Sequence, residues 1–115
     1  MDVKTTIEIE KAAQILKLLG DKTRLSMVKL LETHECCVCE LVEIYKTSQP
    51  AISQHLRKLK DAKIVKEHRR GKWIFYSLNK EHQYYGFVSN ILESLPTQHE
   101  RLNELEKQGL RICCD

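Results

Sequence analysis

Ser48-Gln49-Pro50-Ala51-Ile52-Ser53-Gln54-His55-Leu56-Arg57-Lys58-Leu59, followed by Val65-Lys66-Glu67-His68-Arg69-Arg70-Gly71-Lys72-Trp73-Ile74-Phe75-Tyr76-Ser77-Leu78, decides the fold. The first run reads as a helix, because Ile52, Leu56 and Leu59 recur at i, i+4 and i+7 and share one face. Ser48 suits its cap, and Pro50 suits its first turn, where a missing N–H has no intrahelical partner anyway. The helix should run to about residue 62. Its opposite side carries Pro50, Gln54 and Arg57, flanked by Ser53 and Lys58. In the second run the period changes from 3.6 to 2 and strand formers dominate. Arg70-Gly71 sits at its centre, where glycine accepts the positive φ of a short turn. The run is therefore a β-hairpin with Arg69, Arg70 and Lys72 at its tip.

Outward from this core, residues 7–19 form a helix that stops at Gly20, and Asp21 caps a second helix over about 22–32. A short third helix covers about 38–45. A fifth, over about 80–95, puts Tyr84, Val88, Ile91 and Leu95 on one stripe and stops at Pro96. Thr97-x-x-Glu100 has the spacing of a capping box for a last short helix ended by Gly109. A short helix, a tight connection, a polar-faced helix and a basic hairpin make an α+β, mostly helical winged helix-turn-helix. The expectation is one domain over residues 1–115, with a cysteine-bearing tail over about 109–115.

Composition narrows the function. The 115 residues are 42% hydrophobic and 30% charged, which is globular rather than disordered. No apolar run approaches the roughly 20 residues that span a bilayer, and the N-terminal residues lack an apolar signal core. A cytoplasmic chain with no membrane partner is expected, and a large multi-domain enzyme is excluded. Residues 46–73 hold nine basic and two acidic side chains, whereas the rest of the chain holds ten basic and fourteen acidic ones. A basic middle between acidic flanks is the footprint of polyanion binding. The polar face of the 50–62 helix fits a major groove of double-stranded DNA. Gln49, Ser53, Gln54 and Arg57 would meet bases or adjacent backbone, with Lys58 beside them and His55 at the edge. Arg69, Arg70 and Lys72 would hold phosphates, which positions without specifying.

The five cysteines are grouped as Cys36, Cys37 and Cys39, and Cys113 and Cys114. Core cysteines scatter, so this grouping calls for another explanation. Glu35-Cys36-Cys37-Val38-Cys39-Glu40-Leu41, the run from Ser48 to Leu59 and Leu19-Gly20-Asp21-Lys22-Thr23-Arg24-Leu25 together resemble the ArsR/SmtB family of metal-responsive repressors, over about residues 10–95. The resemblance implies a homodimer built from the first and fifth helices that represses an operon until a metal ion arrives. It also implies that Cys37 and Cys39 supply two of three sulfurs to trivalent arsenic or antimony, As(III) or Sb(III). Soft thiolates also suit Cd(II) and Pb(II). On a regular helix, residues i and i+2 point about 200° apart, so both sulfurs reach one ion only if the helix start is distorted. Capture would then unwind or turn the helix that leads into the base-reading one. Cys113 or Cys114 is the favoured third sulfur, and Cys36 competes as an i, i+3 neighbour of Cys39.

Other readings use the same residues. The thiols could sense oxidants or reactive sulfur through disulfide exchange, or Cys36, Cys37, Cys39 and a tail cysteine could hold structural zinc. A thiol oxidoreductase lacks support, since there is no phosphate-cradling glycine loop, the order of elements is helical rather than βαβ, and no other catalytic constellation is present. His82 stands where zinc-sensing members carry a histidine, but the positions 11 and 14 residues later are Glu93 and Pro96, which does not support a fifth-helix zinc site. His34, His68 and His99 show no ligand spacing and read as separate surface residues. Arg24 suits either a phosphate or a surface ion pair.

Overall fold

The computed structural model describes residues 6–109, in the order α1 (Ile9–Leu19), α2 (Lys22–Leu31), β1 (Cys36–Cys37), α3 (Val38–Tyr45), α4 (Gln49–Asp61), β2 (Val65–Arg70), β3 (Trp73–Leu78), α5 (Tyr85–Glu93) and α6 (His99–Lys107). It is the expected mostly helical winged helix-turn-helix. The sheet runs β1-β3-β2, antiparallel throughout. Arg70 pairs with Trp73 across a two-residue turn in which Gly71 takes φ +60°. A side chain there would meet the left-handed backbone penalty.

Local chemistry sets the helix ends. Asp21 accepts the backbone N–H of Arg24 at 3.0 Å and starts α2. Ser48 Oγ accepts that of Ala51 at 3.3 Å and starts α4, with Pro50 in its first turn. Between α3 and α4 the chain turns through Lys46, which takes φ +52°.

Ile52, Leu56 and Leu59 hold α4 against the core, each no more than 1% exposed, beside Met27, Val28, Leu30 and Leu31 of α2 and Leu41 of α3. Burying each such side chain is worth about 1.5–3 kcal/mol, whereas a surface ion pair contributes about 0–1 kcal/mol. The aliphatic face thus fixes how α4 sits, while exposed Lys60 of the same helix pairs with Glu67 of β2 at 3.1 Å.

Two ends differ from expectation. The fifth helix starts at Tyr85 rather than near residue 80. The Asn79 side chain accepts the Glu81 N–H at 3.1 Å and donates to the Lys63 carbonyl at 3.0 Å, and His82 Nδ1 accepts the Tyr84 N–H at 3.0 Å. These local bonds hold the segment as a turn. The capping box at Thr97 does not form, because α6 begins one residue later with Gln98 at the cap. The Gln98 amide is engaged elsewhere: Tyr45 Oη donates to Ser26 Oγ at 2.7 Å, Ser26 Oγ donates to Gln98 Oε1 at 2.9 Å, and Arg101 Nε donates to the same oxygen at 2.6 Å. This chain ties α2, α3 and α6 together. Among the described residues no helix is long and apolar enough to cross a membrane.

Replacing Asp21 by Ala should cost about 1 kcal/mol in urea denaturation. The Arg24 N–H holds the Asp21 carboxyl below its ordinary pKa. The gap between wild type and variant is therefore present above the carboxylate range and should close as pH falls through it.

Candidate functional site

The outward face of α4 presents Gln49, Ser53, Gln54, Arg57 and Lys58, all exposed, and the wing presents exposed Arg69, Arg70 and Lys72. Two residues of the expected DNA set have internal partners. Arg24 Nη1 bonds His55 Nδ1 at 3.1 Å, while Arg24 Nε donates to the Leu18 carbonyl at 2.8 Å. A guanidinium only donates, so Nδ1 accepts and the ring carries its proton on Nε2. Burial, reinforced by the charges of Arg24 and Lys58 and opposed by Asp21, lowers the His55 pKa. His55 is thus a neutral tie between α4 and α2, and Arg24 is spent inside the molecule. Arg70 Nη2 lies 2.6 Å from Glu35 Oε1, with its guanidinium 4.2 Å above the Phe75 ring. That pair fastens the wing to the segment that leads into the cysteines.

The first cysteines lie where β1 becomes α3. Cys36 pairs with Tyr76 and Cys37 with Phe75, so the thiol-bearing strand is the third strand of the wing sheet. Successive strand residues face opposite sides. Cys36 accordingly joins the hydrophobic core at 0% exposure. Cys37 is the α3 cap, with extended backbone at φ −93° and ψ 171°. Its Sγ lies 3.2 Å from Cys39 Sγ. The divergence expected from helical geometry does not arise, because Cys37 stands before the first helical residue. No distortion of α3 is needed to bring the two sulfurs together.

Glu40 completes this start. It is 2% exposed, and its carboxylate accepts the Cys37 N–H at 3.0 Å. Cys37-x-x-Glu40 is the capping-box spacing with cysteine in the usual Ser/Thr position. Composition does not reveal this role, but that spacing carries the signal for it. Cys37 and Cys39 open onto a cavity of about 360 Å³ also lined by Gln49, Lys72, Trp73 and Ile74. The sulfur pair, the start of α4 and the wing tip therefore share one cavity.

Two thiolates bonded to one ion at about 2.3 Å subtend about 109° in a tetrahedral site. At a separation of 3.2 Å the same bonds subtend roughly a right angle, as at a pyramidal semimetal centre. Cys37 is a free thiol whereas Cys39 is disulfide-bonded, so the pair matches such an ion in spacing and would take it once Cys39 is reduced. Among the described residues no group of three or more His, Cys, Asp or Glu side chains forms a complete metal site. Cys113 and Cys114 lie outside the described residues. His82 lies in the turn before α5, its pKa lowered by burial and by Lys63 and Lys11 against the opposing Ala62 backbone.

A profile of the family described as "Bacterial regulatory protein, arsR family" matches residues 21–67. The arsenical resistance operon repressor of Bacillus subtilis (strain 168) is 37% identical over 115 residues, covering 99% of this chain and 100% of that protein. The chain belongs to the arsR family. An HTH-type transcriptional regulator of Methanocaldococcus jannaschii is 52% identical to this arsR-family chain over 68 residues, 58% of the chain and 76% of that protein. The crystal structure of the transcriptional repressor BigR from Xylella fastidiosa superimposes with a TM-score of 0.61 at 31% identity, over 77% of this chain and 90% of that one. Membership in the arsR family makes the protein a DNA-binding transcriptional regulator rather than an enzyme.

Glu40→Ala should destabilise the fold by about 1–2 kcal/mol in urea denaturation, since it removes the acceptor of a buried N–H. Glu40→Gln keeps an acceptor oxygen and should cost less. Both His55 and His82 have lowered pKa values, so on acidification from neutrality the unfolded chain takes up protons first, near pH 6.5. Stability should fall as pH drops through that region, and H55Q/H82Q should flatten the slope in thermal melts across pH 5–7.5 (about the histidine range).

Proposed function

We propose that this chain is a homodimeric repressor that holds operator DNA through α4 and the β2–β3 wing, and releases it when As(III) or Sb(III) is captured by Cys37 and Cys39. The supporting observation is the 3.2 Å sulfur pair opening into a cavity shared with Gln49 and Lys72. Cys113 or Cys114 supplies the third sulfur in this reading, because Cys36 is committed to the core on the opposite side of β1. The full-length similarity to an arsenical resistance operon repressor supports the choice of ion. The softer divalent ions Cd(II) and Pb(II) are the alternatives of the same chemistry.

Dimerisation has its own support. α1 leaves Ile9 80% and Leu16 51% exposed, with Ala13 between them at helical spacing. That apolar stripe, with Phe87 and Ile91 of α5, is the surface a second copy would cover. A dimer presents two α4 helices to two half-sites. Gln49, Ser53, Gln54 and Arg57 read or flank bases, with His55 at their edge, while Lys58, Arg69, Arg70 and Lys72 hold phosphates.

Capture acts through the connections of Cys37. A bond formed there loads β1, which is paired to wing strand β3, and the cap of α3, which leads into α4. The spacing between wing and base-reading helix then changes in the bound form. Coupling of this kind is typically about 1–3 kcal/mol per site. Moving a population from bound to released by about 5.5 kcal/mol therefore requires both sites of a dimer near the top of that range.

The test is fluorescence anisotropy on a labelled duplex from the promoter the protein controls, in excess phosphine reductant. Saturating arsenite should weaken binding at least tenfold, and C37S/C39S should bind DNA like wild type and ignore arsenite. Quenching of the single tryptophan, Trp73, should follow capture in wild type alone. Arsenite release of the double variant would overturn the reading. Release by oxidant but not by arsenite would assign the thiols to redox sensing instead.

A further inference from the structure

We propose that His34 and His99 form a two-imidazole site for a borderline first-row divalent cation, nickel, zinc or copper, separate from the thiols. The two residues are 65 positions apart in sequence, yet His99 Nδ1 lies 3.3 Å from His34 Nε2. Their rings stack with centroids 5.3 Å apart and planes 22° from parallel. A pair of nitrogens each bonded at about 2.0–2.1 Å to one tetrahedral ion stands about 3.3 Å apart. The observed separation is that edge. The contact is a hydrogen bond between ring nitrogens, so one of them already lacks a proton and offers a lone pair. An ion placed beside the line joining them replaces the shared proton, each ring turning until its lone pair meets the ion.

Both histidines stand on backbone that other contacts fix. The Thr33 and His34 N–H groups donate to the Leu30 carbonyl at 3.2 and 3.1 Å, which fixes the end of α2. His99 is the first residue of α6, a helix docked by buried Leu102 and Leu105 and anchored through Gln98 to Ser26. Ligands on elements fixed in this way lose little freedom on binding. Imidazole suits nickel, zinc and copper, whereas soft semimetals prefer sulfur, so the two sites sort ions by chemistry. Among the described residues no third His, Cys, Asp or Glu completes the group. An ion there would pin the start of α6 to the end of α2.

The experiment uses the full chain with C37S/C39S/C113S/C114S, so that sulfur does not compete, and Ni(II) alone as probe. Calorimetric titration should show one ion per chain. H34A and H99A should each weaken binding at least tenfold, with the double variant no worse than either single one. H34Q and H99Q keep the polarity of the surface and should lose binding equally, which separates ligation from folding. Paramagnetic broadening by Ni(II) should centre on the His34 and His99 ring resonances, and Ni(II) should raise the melting temperature of the parent but not of H99Q. Unchanged affinity in H34Q and H99Q, or broadening centred on His68 or His82, would overturn the site.

Discussion

Much of this molecule turns on one backbone event, the change at Cys37 from strand to helix. Pairing with Phe75 holds the residue extended, and the Glu40 carboxylate takes its N–H as α3 begins. A buried carboxylate is costly unless its acceptor sites are used, and here one of them closes the first turn of a helix. Because Cys37 is not yet helical, its sulfur falls beside that of Cys39. One residue thus belongs at once to the wing sheet, to the start of α3 and to the sulfur pair.

The fold was legible where periodicity was strong. Ile52, Leu56 and Leu59 marked the buried face of α4, and the switch to period 2 with Arg70-Gly71 marked the hairpin. The ends of the later helices were not legible, because side-chain bonds decided them. Asn79 and His82 hold a turn where the pattern reads as helix, and Gln98 takes the capping place from Thr97. β1 is two residues long and carries no periodic signal at all. Its existence depends on β3 being near, which is tertiary information.

The candidate site divides in the same way. The family resemblance implied Cys37 and Cys39, but helical geometry set them apart, since the wheel assumes that both are helical. Cys36 looked like a neighbour of Cys39 on that wheel, whereas strand alternation sends it into the core. His34 and His99 looked unrelated because no spacing rule spans 65 residues; only the docking of α6 brings them together. The charge asymmetry did identify the basic surface. It could not say that Arg70 leans on Glu35 or that His55 faces inward to Arg24.

Lys46 closes α3 in the left-handed region, at φ +52°, a conformation that costs a lysine about 1–2 kcal/mol. On either side of this elbow, Leu41 of α3 and Ile52 of α4 are packed within the same core. The two helices form a bent lever with its fulcrum at Lys46. In the function proposed above, a small tilt imposed at the sulfur end would reach the far arm as a swing of the exposed α4 side chains.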